Sequence, residues 1–218
     1  MRATLRLASA RFALPDALRN MRYAILLAGI GGQGVLFAHN VLAECALAQG
    51  FNVTGAETHG MSQRGGSVVS HLKIGDTAAP LIRQGTADFV IAFDAAEAYR
   101  ALPYLKRSGT LIVNVSPENF PDAQIQPQLD AWAIAVHACD ADTIARNLDR
   151  ASAANVALLG FATTCENFPF TAVALRAAIA RIAHPRFTAF NEKAFTEGIN
   201  ACQDSHSAAR RASTVTLP

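Results

Sequence analysis

The stretch Arg22-Tyr23-Ala24-Ile25-Leu26-Leu27-Ala28-Gly29-Ile30-Gly31-Gly32-Gln33-Gly34 decides the fold class. Its first part is a short apolar run without alternation, the mark of a strand buried on both faces, as in a parallel sheet. The run ends in glycines. Residues 35–49 follow with helix formers and no Pro or Gly until Gly50. A buried strand, a glycine turn and a helix in that order open a β–α unit.

Outward from that unit the alternation continues. Residues 51–57 and 67–74 are strand candidates, the latter ending at Gly75-Asp76, and 88–93 is another buried strand. An Ala-rich helix is predicted to run on to about Arg107, with Ser108-Gly109 breaking it before a strand over 110–115. Residues 117–127 read as a loop and 132–137 as a weaker strand, before helices over about 140–149, 153–164, 171–183 and 191–201. The pattern predicts one α/β domain, a three-layer α/β/α body with a mostly parallel, Rossmann-like sheet. The predicted boundaries are an N-terminal arm over 1–20, expected to be disordered, the domain over 21–202 and a polar C-terminal tail over 203–218.

Composition narrows the partners. Of 218 residues, 51% are hydrophobic and 17% charged, enough for a sizeable core and for surface buried against other subunits. Nineteen basic residues face 17 acidic ones, and no basic block or aromatic-basic stripe points to nucleic acid. No charge-free apolar run approaches the ~18 residues of a membrane span. Cys45, Cys139, Cys165 and Cys202 lie far apart without C-x-x-C spacing, so free thiols in a reducing cytoplasm are expected, with no metal held by this chain. The arm carries Arg2, Arg6, Arg11 and Arg19 with Asp16 as its one acid. That composition is shared by organelle transit peptides, but Met21 stands just before the first strand, and an upstream start or a disordered arm is the expectation.

Two loops carry the functional signal. Gly29-Ile30-Gly31-Gly32-Gln33-Gly34 fits G-x-G-x-x-G between a strand and a helix. Such glycines either allow a tight turn or leave N–H groups open to an anion at a helix N-terminus. A dinucleotide site would add an acid after the second strand; Glu57 is available, at a longer spacing than the usual roughly 20 residues. The second loop is Glu57-Thr58-His59-Gly60-Met61-Ser62-Gln63-Arg64-Gly65-Gly66-Ser67. Ligands of open α/β sheets bind at the carboxyl edge of the strands, where this loop is expected. Arg64 offers a fork for a carboxylate or phosphate, and His59 a proton donor or acceptor. The blander reading is a surface loop whose Arg64 pairs with Glu57.

Other residues have structural readings. His71 reads as a satisfied strand histidine. His39 and Glu44 lack the order of a metal-binding helix and read as helix surface or interface. Asp94 and Glu97 read as caps at a helix N-terminus, where negative charge is favoured. Ser62 and Ser67 form no nucleophile elbow.

The glycine loop with Val35, the string from Glu57 to Gly66, and Pro80-Leu81-Ile82 together resemble the gamma-type domain of 2-oxoacid:ferredoxin oxidoreductases. The His59-Gly60-Met61-Ser62-Gln63-Arg64-Gly65-Gly66 string is similar to the indolepyruvate ferredoxin oxidoreductase beta subunit in particular. Ala87-Asp88, Glu97-Ala98, Val113-Asn114, Asn155 with Leu159-Gly160, and Asn191 with Ala194-Phe195 and Gly198 extend the resemblance over about residues 22–201. It implies a subunit that is inactive alone in the oxidative decarboxylation of an aryl-pyruvate to an acyl-CoA. Thiamine diphosphate with Mg, iron–sulfur clusters and coenzyme A are then reached through a large partner subunit, and ferredoxin indirectly. It also places His59, Gln63 and Arg64 nearest substrate or coenzyme A. Gly29, Gly31, Gly32 and Gly34 become a tight turn approaching a partner or coenzyme A phosphates. The rival reading is a stand-alone nucleotide-binding module using Gly29, Gly31, Gly34 and Glu57.

Overall fold

The computed structural model describes residues 22–59, 65–77 and 79–214. The predicted arm over 1–20 lies outside them. Strand β1 (Tyr23–Ile30) leads through the glycine loop into helix α1 (Val35–Ala48). Strands β2 (Val53–His59), β3 (Ser67–Ile74) and β4 (Ala87–Ala92) follow, then α2 (Ala95–Ala101) and β5 (Leu105–Asn114). The chain closes with α3 (Gln126–Ala131), β6 (Ala135–Cys139), α4 (Ala141–Asn147), α5 (Ala154–Ala162), α6 (Ala172–Ile182) and α7 (Thr188–Thr214).

The six strands form one sheet in the order β2-β3-β1-β4-β5-β6. The pairs β1–β4, β4–β5 and β5–β6 are parallel, whereas β3 runs antiparallel to both β1 and β2. Five strands therefore point one way, as expected, and β3 alone is reversed. The short link between β2 and β3 explains the exception, because a parallel return needs a crossover of about a dozen residues or more.

Alternation along β1 sorts its side chains into two cores. Ile25 and Leu27 join α1, α4, α5, α6 and α7 on one face, while Leu26 and Ala28 join α2 and α3 on the other. Burial on both sides is why the strand reads as continuous apolar sequence rather than as alternation.

Four boundaries differ from the sequence reading. The helix expected to reach about Arg107 stops at Ala101, where Pro103 in a following 3-10 turn (Leu102–Tyr104) cannot continue the ladder. Ser108-Gly109 is consequently a bend inside β5, with Ser108 at φ 58°, and not a helix stop. The loop expected over 117–127 contains a 3-10 turn (Pro117–Asn119) and the start of α3, which moves β6 to Ala135. At the other end, α7 runs on into the polar segment beyond residue 202.

Helices α5 and α7 meet backbone to backbone. A Cβ on Gly160 would lie 2.2 Å from the Phe195 carbonyl oxygen, and one on Gly198 would lie 1.9 Å from that of Ala157. This contact seats α7 against the sheet-facing layer and brings its first turns beside the glycine loop.

Candidate functional site

The glycine loop is closed by its own glutamine. The Ile30 N–H donates to Gln33 Oε1 at 2.7 Å, and the Gln33 N–H returns to the Ile30 carbonyl at 3.0 Å. Gly34 is the N-cap residue of α1 at φ 80°, a left-handed conformation that strains any residue with a Cβ. A Cβ there would also fall 2.0 Å from Asn155 Nδ2. Gly32, at φ 105°, has no heavy atom within 4 Å of the position a Cβ would take, and it borders open space.

The two loops singled out in the sequence meet at the same sheet edge. The Gly31 N–H donates to the Gly66 carbonyl at 2.8 Å, and Ile30 stands opposite Ser67 in the β1–β3 register. His59 closes β2, its backbone opposite Val68. Gln63 and Arg64 lie outside the described residues, as does Ser62.

Glu97 corrects one expectation. Asp94 caps α2, accepting from the Ala96 and Glu97 N–H groups at 2.8 and 3.1 Å, so the cap assignment holds for Asp94. Glu97 instead turns inward. Buried to 2% exposure, it accepts from Ser67 Oγ at 2.7 Å and pairs with Arg100. The base of the second loop is thus tied to the glycine loop at Gly66 and to α2 at Ser67.

The dinucleotide arrangement is not assembled. Glu57 sits opposite Ser70 of β3, and β3 lies between β2 and β1, so the acid is two strands removed from the glycine loop. His39 also departs from its surface reading. It is buried on α1, its Nδ1 is 2.7 Å from Ser70 Oγ, and its ring fills the space left by Gly55, where a Cβ would meet Cε1 at 2.8 Å. Burial lowers its pKa, with Glu57 opposing. Glu44 pairs with Arg181 on the surface, as read. His71 is the satisfied strand histidine expected; its Nδ1 accepts from the Ile82 N–H at 3.2 Å, and burial lowers its pKa with help from Lys73.

On the other side of the glycine loop lies a cleft of about 580 Å³. It opens at the carboxyl ends of β1, β4 and β5, beside the point where the chain connections change direction across the sheet. Asn114 shapes its floor: the amide donates to the Phe93 carbonyl at 3.3 Å and accepts from the Ala141 and Asp142 N–H groups at 2.9 and 3.3 Å. Asn155 reaches from α5 to the Gly34 carbonyl at 3.4 Å. Arg150 packs over the rings of Phe187 and Phe190, 4.2 and 4.8 Å from their centroids. The family resemblance marked Asn114, Asn155 and Asn191 in the sequence, but Arg150 and Phe187 carried no local signal and were missed.

Donor chemistry bears on the implied metal groups. Among the described residues no three His, Cys, Asp or Glu side chains come together to hold a metal ion. Burial pushes the thiols of Cys45, Cys139 and Cys165 up to about 11, 12 and 12, so that they stand protonated at neutral pH. The described residues therefore do not fit an iron–sulfur cluster or a thiamine-bound magnesium. Among them, no helix is long and apolar enough to cross a membrane.

Comparison with known proteins gives the lineage. Residues 24–201 match the family described as pyruvate ferredoxin/flavodoxin oxidoreductase. The chain is 32% identical over 196 residues to the indolepyruvate oxidoreductase subunit IorB of Methanothermobacter thermautotrophicus, covering 85% of this chain and 100% of that one. It is 35% identical over 191 residues to the IorB subunit of Archaeoglobus fulgidus, covering 83% and 95%. The keto/oxoacid ferredoxin oxidoreductase gamma subunit of Geobacter sulfurreducens shares the fold, with a TM-score of 0.66 at 23% identity over 84% of this chain and 99% of that one. The chain belongs to the pyruvate ferredoxin/flavodoxin oxidoreductase family.

Proposed function

We propose that this family member is the small subunit of a 2-oxoacid:ferredoxin oxidoreductase of the indolepyruvate type, inactive until joined to a larger partner. The observation that carries the reading is the match of nearly the whole folded body to proteins that are themselves named as indolepyruvate oxidoreductase subunits. The partner would hold thiamine diphosphate, its magnesium ion and the iron–sulfur clusters, and would pass electrons to ferredoxin in the cytoplasm. Those groups supply decarboxylation of the aryl 2-oxoacid and electron transfer, with coenzyme A taking the acyl group.

This chain's part is binding and orientation. Arg64 would hold a carboxylate or phosphate, with His59 and Gln63 beside it, on the loop whose base is fixed at Gly66 and Ser67. Of Gly29, Gly31, Gly32 and Gly34, proposed to approach coenzyme A phosphates, Gly31 already spends its N–H on Gly66, whereas Gly32 borders open space.

Affinity purification of the tagged full chain from its own cells, followed by mass spectrometry, tests the assembly. Recovery of a larger chain with thiamine diphosphate and cysteine-cluster motifs, active on indolepyruvate, is expected. A chain that returns alone from such cells would end the subunit reading. In the assembled enzyme R64A is expected to lower turnover without unfolding this chain, and activity equal to wild type would remove Arg64 from the site.

A further inference from the structure

Hydrogen bonds on either side of β3 fix the direction of the backbone groups of β2. The Gly31 N–H donates to the Gly66 carbonyl on the β1 side, and the Gly75 N–H donates to the Asn52 carbonyl at 2.8 Å on the β2 side. Bonded pairs alternate along an antiparallel ladder. Counted from Gly75–Asn52, the register makes Lys73–Thr54, His71–Ala56 and Val69–Thr58 the bonded pairs. The N–H and C=O groups of Val53, Gly55, Glu57 and His59 are therefore directed away from β3. Among the described residues no strand lies beyond β2, which ends the sheet.

Sheet edges are commonly guarded by Lys, Pro, a bulge or a very short strand. Strand β2 has seven residues, neither Lys nor Pro, and an unbroken register with β3. The His39 ring of α1 packs against Gly55, so Val53, Gly55 and Glu57 lie on the α1 face and Thr54, Ala56 and Thr58 on the reverse. Leu36, Ala43 and Leu47 share the helical spacing of His39 along the flank of α1 turned to β2, and Leu47 is 55% exposed. On the reverse face, the apolar core under α2 and α3 takes in no described residue of β2.

An edge of this kind is completed by another strand, and the sequence of β2 fits its own copy. A twofold axis at Ala56 sets Val53 opposite His59 and Gly55 opposite Glu57 as bonded pairs, which engages the whole strand. On the reverse face it sets Thr54 opposite Thr58 and Ala56 opposite Ala56, and threonine pairs are among those favoured across strands. Charge agrees with this register, because Glu57 faces a glycine of the second copy. An axis one residue further on, at Glu57, would set two carboxylates face to face. We propose that two copies of this chain pair antiparallel through β2 about a twofold axis at Ala56, joining their sheets edge to edge. The same axis brings both α1 flanks, with Leu47, to one side of the joined sheet. The pairing uses only this chain, so it stands or falls apart from the subunit reading.

Sedimentation equilibrium of the full chain in reducing buffer, over a range of protein concentrations, tests the pairing. Twice the chain mass is expected, and a single-chain mass throughout would overturn it. A56K puts two like charges face to face on the bare side of the pair and is expected to give single chains. A dimer undiminished by A56K would move the contact away from this edge. A56C reads the register even if A56K proves unstable. Opposed residues of a pair that is not hydrogen-bonded have Cα atoms about 4.5 Å apart, within disulfide range. Copper–phenanthroline oxidation of A56C is expected to give a linked dimer, with the joined 56–56 peptide found by mass spectrometry. T54C alone should link far less, and T54C mixed with T58C should link. Failure of the 56–56 link, or T54C linking to itself as readily, would overturn the proposed axis.

Discussion

Ser67 Oγ donates to Glu97 Oε2 at 2.7 Å, joining the first residue of β3 to the first turn of α2 across thirty positions of sequence. The carboxylate is buried, and its other oxygen meets Arg100, whose side chain is largely exposed. One position before Ser67, Gly66 accepts from Gly31. A buried carboxylate and a backbone bond thus hold both glycine-rich loops at one edge of the sheet.

Because Arg100 is screened by water, the hydroxyl bond and the burial itself carry the energetic weight. S67A is expected to cost about 1–2 kcal/mol by taking a donor from a buried acceptor. E97Q, which keeps an acceptor for Ser67, should unfold at a higher temperature than E97L, which keeps none. Thermal denaturation of the three variants against wild type decides this, and E97L as stable as E97Q would show that the bond does not matter.

The α5–α7 contact has no room for a methyl group at either glycine, and the obstacles are backbone carbonyls, which cannot swing aside. G160A and G198A are each expected to cost about 2–3 kcal/mol through forced separation of the helices. Urea melts would report it as a lowered midpoint; an unchanged midpoint in both would contradict the packing.

Two buried histidines give a pH signature. In the unfolded chain both titrate near 6.5, while burial holds the folded-state values of His39 and His71 lower. Between those values the unfolded state binds more protons, so stability is full above 6.5 and is lost as pH falls through the folded values. Melting temperature measured against pH should be flat above 6.5 and decline below it, and the paired change H39N/H71N should flatten that decline. A decline identical in the variant would assign it to other groups.

Cys45, Cys139 and Cys165 are buried with thiols held protonated, so the native chain should leave all three unlabelled by iodoacetamide at neutral pH. Denaturant should expose them together. Peptide mass spectrometry before and after unfolding reads this, and native labelling at Cys139 or Cys165 would show that the α5–α7 region opens.

Much of the architecture was legible in local pattern. Continuous apolar runs at β1 and β4 announced strands covered on both faces, and the glycine turn after β1 marked the carboxyl edge where the site lies. The helix end at Pro103 was also written in the sequence, but the Ala-rich run around it masked the signal. His39 looked like a surface residue because nothing local shows that Gly55 of another strand leaves space for its ring.

The sequence by itself therefore determined the α/β class, the two loops at one edge and the family, since periodicity and turn chemistry depend only on near neighbours. The tertiary structure decided which distant residues meet. Asn155 reaches Gly34 across 121 positions, and Glu97 turns to Ser67 rather than to its own helix end. Arg150 joins the glycine loop at a single cleft. A period fixes the face of an element on which a side chain lies, but only packing of the whole chain fixes what stands opposite it.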